Sequence, residues 1–180
     1  NDAKRNVEDA YNWNALADTL TATTTADIFN YVLDGSGQRF RVIDVLNDTS
    51  NLTLVSAPTS WMNQQFLLNQ TQKGIPSYYN FNGVDSNGDT QVDMYPIPDG
   101  VYNIRFNIVL PQPLLADDAT VLKVPYEPVI FLAYAKALAE RGEDGGLSSS
   151  EAYGLYRQSL ADAIALESGR YEDESSWSAV

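Results

Sequence analysis

The densest run of potential metal ligands is Asp85-Ser86-Asn87-Gly88-Asp89-Thr90-Gln91-Val92-Asp93. Oxygen donors at alternate positions are what a calcium loop uses, but such a loop has glycine in the sixth place and a bidentate glutamate in the twelfth. Here the glycine stands fourth and no glutamate follows. Asn87-Gly88 instead has the conformational freedom of a tight hairpin turn between strands, and that is the expected structure. Asp117-Asp118 brings two carboxylates together, yet adjacent side chains diverge and no partner group stands beside them, so a solvated turn is expected rather than acid–base chemistry. Glu127 and Glu140 sit on an apolar run with Lys136 and Arg141, and Glu140 has the spacing to pair with Lys136. Ser148-Ser149-Ser150-Glu151 follows two glycines at a helix start, a place that can hold an anion. The lysine of a phosphate-binding loop is missing, and a capping box fits better, with Ser148 as N-cap and Glu151 reaching back.

The chain has neither histidine nor cysteine. That removes thiolate nucleophiles, histidine acid–base catalysis, Ser-His-Asp triads, thiolate or imidazole metal sites and any disulfide framework. Eleven Lys and Arg stand against 24 Asp and Glu, a net charge of −13. The cations are scattered singly, whereas phosphate recognition needs them clustered. A negative wall repels a nucleic-acid backbone, which suits a surface that DNA must pass without sticking. No cofactor is implied.

The C-terminal segment from Gly169 to Val180 is acidic and short, yet holds an aromatic near its end. Tyr171, Glu172, Asp173, Glu174 and Trp177 are the candidate docking group, since an aromatic on a tail is a common kind of interface anchor; the other reading is a tail that folds back on its own domain or stays disordered.

The elements that position these groups follow from periodicity. Residues 3–17 read as a helix with Val7, Ala10, Tyr11 and Leu16 on one face and Lys4, Arg5, Glu8 and Asp9 on the other, and with Trp13 as a core anchor. The opening reads as this helix and not as a signal peptide. The missing initiator Met points to an N-terminal stretch cleaved, disordered or outside the numbering. Short alternating segments with turn residues between them then predict an antiparallel sheet region over 18–112. Its strands are expected at 19–25, 28–33, 40–46, 52–57, 78–81, 91–95 and 102–110. The last puts Tyr102, Ile104, Phe106 and Ile108 on one face. A helix over 59–72 interrupts the region, N-capped by Thr59 or Ser60 and ended by Lys73-Gly74. From Pro125 to Arg141 runs a helix with hardly any polar face, which requires neighbours on nearly every side. Gly142 suits its end, and Glu143 to Gly146 form the connector. A second helix follows, with Leu155, Tyr156, Leu160, Ala163 and Ile164 as its buried stripe. The fold class is therefore α+β: a helical lobe of residues 3–17 and 126–172, the sheet region, and a tail over 173–180. Hydrophobic content of 44% is ordinary for a globular protein, and no apolar run approaches the roughly 18 residues of a membrane span.

Three stretches carry a resemblance. Lys73-Gly74-Ile75-Pro76-Ser77-Tyr78-Tyr79 is followed by Met94-Tyr95-Pro96-Ile97-Pro98-Asp99, a glycine-proline entry, a hairpin and a "YPxPD" strand end. The paired helices include Ala137-Leu138-Ala139-Glu140-Arg141-Gly142-Glu143-Asp144. The opening is Val7-Glu8-Asp9-Ala10-Tyr11-Asn12-Trp13. Together they resemble the tailed-bacteriophage head-to-tail adaptors, also called head-completion or connector proteins, best from residue 73 onward. That family usually has a further N-terminal helix, which is not visible here.

The resemblance implies a virion structural protein at the head–tail interface, assembled in the host cytoplasm, and not an enzyme. It implies a homo-oligomeric ring of about twelve copies beneath the portal protein. The ring lengthens the DNA channel, lets genomic DNA pass without sequence-specific binding, and offers a platform to the next tail component of nozzle, stopper or tail-terminator type. It also implies a C-terminal segment that embraces the portal, here Tyr171 to Trp177, and sheet loops facing the tail. Two other classes stand against it. A β-rich attachment or carbohydrate-binding module would need exposed coplanar aromatics, and a carboxylate glycosidase would need two carboxyls across a cleft.

Overall fold

The structure, a computed structural model, describes residues 1–67, 71–117, 119–142 and 147–170. From the N-terminus run helix α1 (Asp2–Ala10), a 3-10 turn (Asn14–Leu16), and strands β1 (Ala17–Thr23), β2 (Asn30–Val32), β3 (Arg41–Asn47), β4 (Leu52–Thr53) and β5 (Val55–Ser56). Helix α2 (Thr59–Phe66) precedes β6 (Lys73–Gly74), β7 (Tyr78–Val84), β8 (Thr90–Tyr95), β9 (Ile97–Pro98) and β10 (Asn103–Val109). Helices α3 (Tyr126–Arg141) and α4 (Leu147–Ser168) follow. The class is α+β. The chain divides into two compact units: Ala17–Leu110, and Asn1–Leu16 with the residues from Pro111 onward.

In the sheet unit, β1-β10-β3-β4 form one sheet and β2-β8-β7-β5 another. β10 alternates as its sequence requires: Ile104, Phe106 and Ile108 are fully buried, and the intervening Asn103, Arg105 and Asn107 face outward. The inward residues meet Val92 and Met94 of β8 and Tyr79 of β7 in one core, with Phe106 in edge contact with Tyr79 at 6.1 Å. The outward face is stitched by side chains. Asn107 donates to Asp44 on β3 at 2.5 Å, and Thr19 on β1 donates to Asn107 at 3.2 Å. The pairings are antiparallel except β5 with β7 and β6 with β9. Lys73-Gly74, expected to end a helix, instead forms β6. Helix α2 ends at Phe66, short of the expected residue 72, leaving Leu67 exposed; residues 68–70 lie outside the described residues. No side chain caps α2: the N-cap position falls on Pro58, not on the expected Thr59 or Ser60, and proline has no side-chain acceptor, while Thr59, inside the helix, accepts the Asn80 amide at 3.0 Å.

In the helical unit, α1 stops at Ala10, well short of the expected residue 17, and Tyr11 is extended. Trp13 supplies the reason. Its Nε1 donates to the Val7 carbonyl at 2.7 Å, satisfying one of the last carbonyls that a helix leaves without an amide partner. The turn that brings the indole back is incompatible with further helix, and Trp13 ends up 2% exposed. The faces of α1 also differ from expectation: Ala3, Lys4, Val7 and Glu8 are buried while Ala10 is exposed.

Candidate assembly interface

Three helices present the surfaces of the helical unit. α3 begins where Pro125 and Pro128 tolerate a first turn, whose amides lack intrahelical partners in any case, and ends at Gly142. There a left-handed φ of 64° lets the Gly142 amide reach the Leu138 carbonyl. Pro128, Leu132 and Ala135 are its buried residues. Val129, Phe131 and Leu138 are half-buried, whereas Tyr126, Ile130 and Tyr134 stay 63%, 57% and 56% exposed among the described residues. They fall four residues apart, so they form one ridge along the helix.

α4 packs against α3 through Ala152 and Tyr156, with Leu160, Ala163 and Ile164 half-buried. Leu155, expected in the buried stripe, is half exposed because it faces a groove and not the α3 contact. Ser148 is not the N-cap, since α4 already runs from Leu147 and Ser148 lies inside its first turn; the connector 143–146 lies outside the described residues. Burial raises the Tyr156 phenol above its ordinary value, and the nearby Tyr153 adds to this while Lys136 opposes it.

Lys136 does not take the Glu140 partner its spacing allows. Its ammonium pairs with Asp2 at the start of α1. The hydrogen bond and charge of Lys136 hold the Asp2 carboxyl below the usual carboxylate value. A second polar cluster in this unit is fully buried. Lys4 Nζ meets Glu8 Oε1 at 2.9 Å and donates to the carbonyls of Gln112 and Pro113 at 2.6 and 3.2 Å. Glu8 Oε1 in turn accepts the Gln112 amide at 3.1 Å. The segment entering the helices is thus clamped to α1.

Two hollows flank the helix pair. One of about 450 Å³ lies among Pro125, Pro128, Phe131, Leu155 and Leu166, with Glu127 and Asp162 at its walls. The other, about 430 Å³, is lined by Ala135, Lys136, Ala139, Tyr153 and Arg157.

The sequence-derived candidates for chemistry are used structurally. Asp85 Oδ1 accepts the amides of Asn87 and Asp89 at 2.8 and 2.9 Å, and Gly88 takes a φ of 88°, so this run is the β7–β8 hairpin turn. Asp93 is buried on β8, where its two oxygens accept the amides of Asn30 and Asn82 at 2.6 and 2.8 Å. Asp117 Oδ1 accepts the Ala119 amide and the Thr120 hydroxyl, a turn; Asp118 lies outside the described residues. Among the described residues, no three acidic side chains gather as a metal site, and no helix is long and apolar enough to cross a membrane. Tyr171, Glu172, Asp173, Glu174 and Trp177 lie outside the described residues.

Among the described residues the helix pair thus leaves an apolar ridge on α3 and two hollows open to solvent. The family model described as SU10 adaptor protein matches residues 1–179, nearly the whole chain. The chain belongs to this family of bacteriophage head-to-tail adaptors and is a structural component of the phage particle. No curated protein sequence matches it.

Proposed function

We propose that copies of this chain close into a ring of about twelve subunits beneath the portal, extending the DNA channel and presenting a platform to the next tail component. The observation that carries this reading is the ridge of Tyr126, Ile130 and Tyr134 on α3 in a chain that belongs to an adaptor family. Burying one large apolar side chain is worth about 1.5–3 kcal/mol, so three on one helix face supply a substantial subunit contact. The net charge of −13 supports a lumen through which DNA slides without adhering. The role is structural and not enzymatic. The helical lobe makes the ring contacts, the loops of the sheet region face the tail, and assembly takes place in the host cytoplasm.

Portal docking is assigned to the acidic C-terminal segment, with Trp177 as anchor and Tyr171, Glu172, Asp173 and Glu174 beside it. Deleting residues 171–180 tests this. The truncated chain should unfold at the same denaturant midpoint as the full chain yet fail to co-sediment with the portal ring. Undiminished co-sedimentation would sink the assignment.

A further inference from the structure

The larger hollow of the helical unit has a chemistry of its own. Its apolar walls come from both helices: Pro125, Pro128 and Phe131 on the α3 side, Leu155 and Leu166 on α4. Leu166 and Leu155 are 73% and 50% exposed, and with Pro125, Pro128 and Phe131 they make a contiguous apolar patch and not a lone surface leucine. Of the charged groups lining the groove, Glu167 and Arg170 are spent on each other, 3.4 Å apart, and Glu167 also accepts the Asn14 amide at 3.0 Å. Glu127, in the first turn of α3, and Asp162, on α4, remain exposed carboxylates with no ion pair among the described residues. The groove therefore combines apolar lining with two carboxylates that have no ion pair among the described residues.

We propose that this groove binds a basic amphipathic segment of a partner protein. Large aliphatic or aromatic side chains would lie along Phe131, Leu155 and Leu166, while a Lys or Arg would sit between Glu127 and Asp162. This is helix-in-groove recognition with charge setting the choice of partner. Charge also argues against the chain's own terminus, because Glu172, Asp173 and Glu174 have the same sign as the groove walls. The proposal does not depend on the ring or on portal docking by the tail.

The test uses the full chain and a fluorescein-labelled peptide with leucines on one helical face and lysines on the other, read by fluorescence anisotropy. Its twin carries glutamate for every lysine. The lysine peptide should bind and the glutamate twin should not. Glu127→Lys with Asp162→Lys should weaken binding by about tenfold or more, as should Leu155→Ser with Leu166→Ser. These side chains are exposed, so the charge reversals leave the fold intact, and the exposed Asp34→Lys in the sheet unit serves as the control that leaves binding unchanged. Equal loss in Asp34→Lys would mean attraction to bulk negative charge, and equal binding of the glutamate twin would remove the charge argument; either overturns the proposal. So would binding of a peptide of residues 171–180 that the groove substitutions abolish, or a fall in the native mass of the free chain on Leu166→Ser, which would make a second copy the occupant.

Discussion

Lys4 Nζ lies 2.9 Å from Glu8 Oε1, one helical turn away, with both side chains excluded from solvent at 1% and 0% exposure. An exposed pair at that spacing contributes only tenths of a kcal/mol. Here the ammonium also serves two backbone carbonyls and the carboxylate serves the Gln112 amide, so the pair joins α1 to the segment that leads into α3. Removing one partner leaves a buried charge uncompensated, and Lys4→Met or Glu8→Leu alone should cost about 3–5 kcal/mol. The double substitution should cost less than the two single losses added together. Urea unfolding of the four proteins measures this as a double-mutant cycle.

Trp13→Phe keeps the aromatic bulk but leaves the buried Val7 carbonyl without its donor. The expected loss is about 1–3 kcal/mol, read from the shift in the urea midpoint at unchanged slope.

Burial raises the phenols of Tyr31, Tyr79 and Tyr156 above their ordinary value near 10. The unfolded chain therefore loses these protons first as pH rises. Their contribution to stability is complete below pH 10 and is lost as pH climbs through the raised folded values. Ultraviolet titration should show a tyrosinate fraction that lags free tyrosine, and the lag should vanish in denaturant. At the acid end, Asp2 should titrate below 3.8 because of Lys136, and Lys136→Met should return it toward that value. This is checked by NMR of the side-chain carboxyl.

Much of this architecture is legible in the sequence because one period dominates locally. The β10 alternation, the Asn87-Gly88 turn and the Gly142 helix end each depend on a few adjacent residues, and each is found where the pattern puts it. What the pattern conceals depends on distant partners. Lys4 and Glu8 read as a solvated face because nothing near them reveals the Gln112 and Pro113 backbone groups. Helix α1 stops early because an indole beyond it takes one of its carbonyls. Lys136 has a suitable acid four residues on, yet Asp2, more than a hundred positions away, takes it. The apolar character of α3 is evident from sequence, but only the structure separates the side chains that pack within the unit, Pro128, Leu132 and Ala135, from those that stay exposed, Tyr126, Ile130 and Tyr134.

Ile130 belongs to that exposed set. At 57% exposure it contributes little to the free fold, so Ile130→Asp should leave the unfolding midpoint within about 0.5 kcal/mol of the parent. On the ring reading the same change places a charge in each subunit contact and should abolish ring formation. Analytical ultracentrifugation separates the two effects, and a ring that survives with the substitution would move the contact away from α3.

Native mass spectrometry distinguishes an adaptor ring on a portal from a chain that stays free. The purified chain is measured alone and then mixed with the portal ring from its own genome. A complex of about twelve chains per portal is expected, whether or not the free chain is a monomer. A monomer throughout, with no species heavier than the free portal, would contradict it.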